Sequence, residues 1–518
     1  MWTIASRGRW WALGAVNLAV IAVGLDGTVL SVALPTLAHA LHASESDLQW
    51  FSSGYLLVLA AAMLPVGLMG DRFGRKRIML PALALFAVGS AACAYSPSPG
   101  AFIAARAVLA LAGAGVIVMA LSALIGLFDE QDRGRAVGVW AAANFLALPI
   151  GPILGGWLLS HFWWGWVFVL NIPVALVGFA AVALLVPDTR AEEKPGLDLV
   201  GIALSVAGLV ALSYGLIAAG SHGWTSAATL APMLAGLAVL AAFGVWERWL
   251  AHTPSGEPLL DPDLLRSRSY RWGVILQAVA ILGMVGVLFT MPQFFQAVAG
   301  TDAMGSGLRL LPLICGLIAG AVPADRLSRR VGAKTVTTTG FLILTVGLAV
   351  GSRTSTSSGD AFIAIWMALV GVGMGLSMAT AASAALVELP QERGGIGSAV
   401  MQALNKTGAP LGAAILGSAL TSVYLARLHL TGLSAALAAA VRHSVFGGVA
   451  VAAQLHSQPL LSNVRDAFAA GVDEALLISA GIAMIGALLS LGFLPNLVTA
   501  AGSERASTGK DMPLVEPH

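Results

Sequence analysis

Apolar runs of about 20 residues follow one another along nearly the whole chain, separated only by short polar turns. Each run is long enough to cross a hydrocarbon core of roughly 30 Å as a helix. Backbone groups in lipid find no water, so segments of this length must satisfy their hydrogen bonds internally, as helices do. Charge content agrees: 10% of residues are charged and 58% hydrophobic, whereas soluble domains carry roughly 25% charged residues. A net charge of +2 gives no basis for a nucleic-acid partner. Cys93 and Cys315 lie in separate apolar runs. They form neither a disulfide framework nor a metal-site spacing, and read as packing residues.

The runs, numbered here as spans 1 to 14, centre near Val20, Leu59, Leu85, Val116, Leu148, Leu176, Val210, Leu240, Met284, Cys315, Leu344, Gly373, Leu411 and Ile485. This predicts an all-α polytopic membrane protein of two six-helix bundles, residues 1–190 and 270–498, with two extra central spans over 191–252. A linker over 253–269 precedes the second bundle, a long outer loop is expected over 425–471, and a polar tail over 499–518. Most of the 28 lysines and arginines fall on one side if the N-terminus is cytoplasmic, the bias that sets membrane orientation. Both termini are then cytoplasmic, in the cell membrane. Ala38-His39-Ala40 resembles a cleavage site, but the preceding run contains Asp26 and many spans follow, so an uncleaved first helix is expected.

The turn between spans 2 and 3 reads Gly67-Leu-Met-Gly-Asp71-Arg72-Phe-Gly74-Arg75-Lys-Arg77. Asp71-Arg72 ends one helix, Gly74 permits the reversal, and cations follow. A degenerate copy runs from Asp325-Arg326 through Arg329-Arg330 to Lys334. One loop motif present twice suggests two related halves.

Polar residues inside spans are the candidates for chemistry. Asp26 lies in span 1, where a mid-membrane carboxylate costs roughly 2.5–3.5 kcal/mol. It is therefore expected to face a polar cavity and to load and release a proton. The plainer alternative is a structural aspartate bonded to the Thr28 or Ser31 hydroxyl. Arg106, in span 4, needs a partner for the same reason. Asp26 and backbone carbonyls are both candidates, and a purely structural helix tie is the alternative role. In span 5, Gly151-Pro152-Ile-Leu-Gly155-Gly156 combines glycines that permit close helix approach with a kinking proline. Gln402, Asn405 and Lys406 share one face of span 13. With Asn144 and Gln277 they are the expected cavity wall, although a snorkelling Lys406 is the alternative there. No Gly-rich loop ends in Gly-Lys-Ser or Gly-Lys-Thr, which argues against ATP drive within this chain. No metal, redox cofactor or hydrolytic constellation is expected.

These motifs together resemble the major facilitator superfamily, in particular its fourteen-helix drug:proton antiporter branch. The resemblance rests on 67–77, on Leu25 to Val29 with Ala33-Leu34-Pro35, on Arg106 with Gly113 and Gly115, and on 151–156. It extends more loosely to 307–312, 326–332 and 408–417. It implies export of small amphipathic molecules, drugs or antibiotics among them, driven by the proton gradient with no other cofactor, by a monomer. It further implies proton coupling at Asp26 and Arg106, and a conformational latch built from Gly67, Asp71, Arg72, Gly74 and Arg75 with Asp325, Arg326 and Arg330.

Three positions depart from the family pattern. Ser31 stands where an asparagine is frequent, and Arg329 where the second loop carries an acid, with Asp325 one turn earlier. Met401 and Lys406 stand where antiseptic exporters carry acids, which lowers the expectation for dicationic substrates. Two other readings fit the residues: a lipid or cell-envelope precursor translocase on the same fold, and a non-transporting membrane sensor.

Overall fold

The computed structural model describes residues 6–43, 45–188, 198–253, 266–387 and 394–495, which are helical with no strand among them. Of the expected linker over 253–269, residues 254–265 lie outside these residues, as does the tail over 499–518. The first half contains α1 (Ser6–Ala40), α2 (Glu45–Phe73), α3 (Arg75–Ala94), α4 (Pro99–Leu127), α5 (Glu130–His161), α6 (Trp166–Val169) and α7 (Asn171–Leu185). A hairpin follows, α8 (Leu199–His222) and α9 (Ala227–Ala251). The second half contains α10 (Arg268–Gln293), α11 (Ala303–Arg309), α12 (Leu311–Val331), α13 (Ala333–Gly351), α14 (Asp360–Val387) and α15 (Gly394–Arg427). It closes with α16 (Ala435–His443), α17 (Val445–Gln454) and α18 (Gln458–Phe493).

Local signals place the helix ends. Ser98 accepts from the Ala101 N–H, with Pro99 opening α4. Asp198, Ser226, Ser267 and Asp302 cap α8, α9, α10 and α11 in the same way. Such caps satisfy N–H groups that no helical turn can reach. At Gly74 (φ 108°) and Gly332 (φ 90°), the chain reverses through backbone angles that disfavour a side chain. Those are the turns of the two loop copies.

Twelve helices among the described residues are long and apolar enough to cross a membrane. The long helices α5 and α15 are not among the twelve. They stand where spans 5 and 13 were read, and a total of fourteen rests on including them. The chain is therefore a multi-pass membrane protein. The expected outer loop over 425–471 is shorter than read. Ser457 caps α18 and Pro459 sits in its first turn, so that helix begins at Gln458. The short helices α16 and α17 occupy the remaining connector, pinned where the Tyr424 hydroxyl donates to the Val441 carbonyl at 2.8 Å. Cys93 is buried as expected, but Cys315 is exposed on α12, so only the former packs inside.

In the first half α1 packs on α5 and α7, and α4 packs on α2 and α3. In the second half α14 packs on α10, α12 and α13, while α18 packs on α13, α15 and α10. The halves meet where α2 lies on α15 and α5 lies on α12 and α14. The α8–α9 hairpin rests on α2 and α15, and Trp224 Nε1 donates to Ser418 Oγ at 3.2 Å. The apolar core of the first half continues across the seam into Tyr270, Val274, Leu386, Ile396 and Met401. The seam is thus sealed at the end carrying the two loops.

Candidate functional site

Asp26 projects from α1 into the interior of the first half. Arg106 Nη1 of α4 donates to its Oδ2 at 2.6 Å, and Asn171 Nδ2 of α7 donates to its Oδ1 at 3.3 Å. Arg106 Nε also donates to the Phe51 carbonyl at 3.3 Å, and the guanidinium lies 4.0 Å from the Tyr55 ring centroid. Asp26 is 2% exposed and Arg106 1%. Four helices therefore converge on one ion pair. Both of the partners considered for Arg106, Asp26 and a backbone carbonyl, are used at once. A buried pair is strongly destabilised when one partner is removed, because the other charge remains desolvated. The ring face of Tyr55 adds an attraction for the cation. The Thr28 hydroxyl bonds to the carbonyls of Gly24, Leu25 and Ala147.

The glycines of span 5 back onto this region. A Cβ on Gly151 would meet the Thr28 hydroxyl, and one on Gly155 would lie 2.8 Å from Val29 Cγ1. Their smooth face thus brings α5 against α1, two residues from Asp26. Gly156 is half-buried. The side chains of Pro152, Asn144 and Lys406 lie outside the described residues.

Between the halves is a cavity of about 300 Å³. The first half contributes Gly27, Thr28, Tyr55 and Trp140, and the second Met284, Met374, Met378, Gln402 and Asn405. Asp26 itself is one residue behind the wall, screened by Gly27 and Tyr55. Asn405 Nδ2 donates to Gln402 Oε1 at 3.3 Å, and Asn405 Oδ1 has no partner among the described residues. Both side chains line this cavity. Gln277 does not line the cavity. It lies on the stripe of α10 between Val274 of the cross-seam core and Ile281 of the cavity wall, fully buried, and neither atom of its amide has a partner among the described residues. Sequence reasoning missed Tyr55, Trp140 and the three methionines. An aromatic or thioether in an apolar helix looks the same whether it faces core, lipid or cavity.

At the loop end, Asp71 Oδ2 accepts the Ile396 backbone N–H of α15 at 2.8 Å, and Arg75 Nη2 lies 3.4 Å from Asp71 Oδ1. Arg133 Nη1 reaches the Leu386 carbonyl at 3.5 Å across the same seam. Gly67 is buried, and the Arg72 guanidinium lies 5.7 Å from the Phe73 ring centroid. The second copy differs. Asp325 pairs with Arg329 at 2.8 Å and faces Gly134 of α5, while Arg326 and Arg330 are exposed. The partner of Asp325 is Arg329 and not Arg330, because a four-residue step, not five, returns to the same helix face.

The sequence model of the Major Facilitator Superfamily matches residues 16–413. The chain belongs to that family. Among superfamily members, it is 32% identical to the tetracenomycin C resistance and export protein of Streptomyces glaucescens, over 94% of this chain and 92% of that protein. It is 31% identical to the multidrug efflux pump LfrA of Mycolicibacterium smegmatis, over 92% and 95% of the two chains. It is 32% identical to the methyl viologen resistance protein SmvA of Salmonella typhimurium, over 95% and 99%. These relatives are drug and antibiotic resistance and export proteins. The superfamily fold is seen in the proton:xylose symporter XylE, with a TM-score of 0.61 at 14% identity over 95% and 97% of the two chains. The human organic anion transporter MFSD10 matches with a TM-score of 0.60 at 15% identity, over 93% and 99%. Such relatives imply a small-molecule substrate and a membrane setting.

Proposed function

We propose that this protein exports small amphipathic drugs or antibiotics from the cytoplasm across the cell membrane, in exchange for protons, with both termini cytoplasmic. The observation that carries the reading is the buried Asp26–Arg106 pair one residue behind the wall of a cavity shared by the two halves. Protonation of Asp26 removes the negative charge that holds Arg106. The freed guanidinium retains the Phe51 carbonyl and the Tyr55 ring, and Tyr55 borders the cavity. A proton arriving at Asp26 therefore alters the cavity wall, and substrate pressing on Tyr55 alters the pair. Such coupling exchanges one ligand for the other as the halves rock about the fixed site. Arg106 tunes Asp26, and 67–77 latches the cytoplasmic face.

The described cavity wall is apolar, aromatic and thioether-rich with two amides, and carries no carboxylate. It suits neutral, weakly cationic or zwitterionic amphiphiles better than dications. The test is proton-driven uptake of a fluorescent drug into inverted vesicles holding the purified protein. The reading expects substrate-dependent proton release, abolished in Asp26→Asn while the variant remains folded. Undiminished uphill transport by that variant overturns it.

A further inference from the structure

A second cavity, of about 360 Å³, lies at the loop end between α5 and α12, one from each half. Its wall holds Asp132 and Arg135 of α5 and Val322, Pro323, Asp325, Arg326 and Arg329 of α12. Both carboxylates are already engaged. Asp132 lies 3.7 Å from Arg9, which itself holds Asp129 at 2.6 Å, and Asp325 binds Arg329 at 2.8 Å. Arg135 and Arg326 form no ion pair among the described residues. Arg135 instead stacks 4.8 Å from the Trp10 ring centroid, and both arginines are exposed. With Arg9 shared between two aspartates, four arginines face three aspartates, so the pocket keeps one net positive charge and presents a guanidinium outside any described ion pair on each half. Like charges facing across a seam oppose its closure, and an anion between them reverses the sign.

The chemistry of the wall selects the anion. Guanidinium groups match phosphate oxygens bidentately. Val322 is 43% exposed and the adjoining Leu327 41%, on a helix long and apolar enough to span the membrane. The floor is therefore open to acyl chains, which a free phosphate cannot use. Basic pockets between membrane helices at the cytoplasmic level hold anionic headgroups. We propose that this pocket binds one anionic phospholipid, whose phosphate bridges Arg135 and Arg326 and stabilises the closed seam at this end. The proposal does not depend on what the protein exports.

The test titrates the purified full-length protein in neutral detergent with dioctanoyl phosphatidylglycerol, dioctanoyl phosphatidylcholine or inorganic phosphate. Thermal unfolding and the lipid retained in native mass spectrometry are read together. The wild type is expected to gain stability with phosphatidylglycerol and to retain one molecule. Arg135→Gln/Arg326→Gln should bind it roughly thirty-fold more weakly, about fivefold per lost cation. Arg135→Lys/Arg326→Lys should keep most of the response, as should Arg353→Gln at the opposite end of α13. If the double glutamine variant does not fold, Arg326→Gln alone should show the fivefold loss. An equal response to phosphatidylcholine, an equal response to inorganic phosphate, or an undiminished response in the glutamine variants overturns the proposal.

Discussion

Asp71, at the end of α2, caps α15 from the other half of the molecule: its Oδ2 accepts the Ile396 backbone N–H at 2.8 Å. First-turn N–H groups have no partner in their own helix, and the positive end of the helix favours a carboxylate. A hydrogen bond to a charged group contributes about 1.5–3 kcal/mol. Arg75 holds the other oxygen from one turn on. The cap forms only while the seam is closed, so its energy belongs to one conformation.

Asp71→Ala should therefore shift the conformational balance away from this closed state by about 2 kcal/mol, roughly thirty-fold in population. Asp325→Ala should shift it less, because Asp325 is bonded within its own helix by Arg329 and makes no cross-seam hydrogen bond among the described residues. Efflux rates of the two variants at matched expression check this. Equal loss in both would contradict the inequality of the two loop copies.

Loss of Arg106 should be felt in folding as well as in transport. Arg106→Ala leaves the Asp26 carboxylate buried without its cation, with Asn171 still donating to it. Removing one partner of a buried pair costs about 3–5 kcal/mol. Arg106→Ala/Asp26→Asn should recover most of that loss without recovering proton-driven transport. Thermal unfolding of the two variants, paired with transport assays, separates the structural part from the coupling part.

Gln277→Leu should stabilise the closed seam. The amide is fully buried and both its polar atoms lack partners among the described residues. A buried unsatisfied group costs about 1–3 kcal/mol, and an apolar replacement of similar shape removes that cost. The variant should melt higher yet turn over more slowly, because the state it stabilises must open in every cycle. A faster exporter would sink this prediction.

Gly151→Val should separate α1 from α5. Even a Cβ would meet the Thr28 hydroxyl, and branching adds two methyls where there is no room. Overpacking of this kind costs about 1–3 kcal/mol. Because Thr28 borders the cavity two residues from Asp26, transport should fall more than stability. A Gly156→Ala variant, at a half-buried position, should lose less of both.

Methyl viologen is a dication. The described cavity wall of this protein has no carboxylate to hold one. Export of methyl viologen should therefore be weak beside export of a neutral polycyclic drug. A susceptibility panel in an exporter-deficient host, with and without a proton ionophore, checks the ranking.

The sequence by itself determined the fold class, the family and the individual residues most costly to place in a membrane. Apolar run length sets helix number, and an isolated charge in such a run demands a partner, so Asp26 and Arg106 stood out without coordinates. What only the tertiary structure decided was which residues meet. Asn171 lies far along the chain from Asp26, and Ile396 further still from Asp71, and no local period reports contacts across such separations. The same is true of Gln277, whose stripe on α10 was legible but whose position relative to the seam was not. Membrane helices carry nearly uniform apolar surfaces, so a sequence shows that a helix forms without showing which side faces lipid, core or cavity. That choice comes from how the bundles pack, and it sets the ion pair inside the first half, behind the cavity that the two halves share.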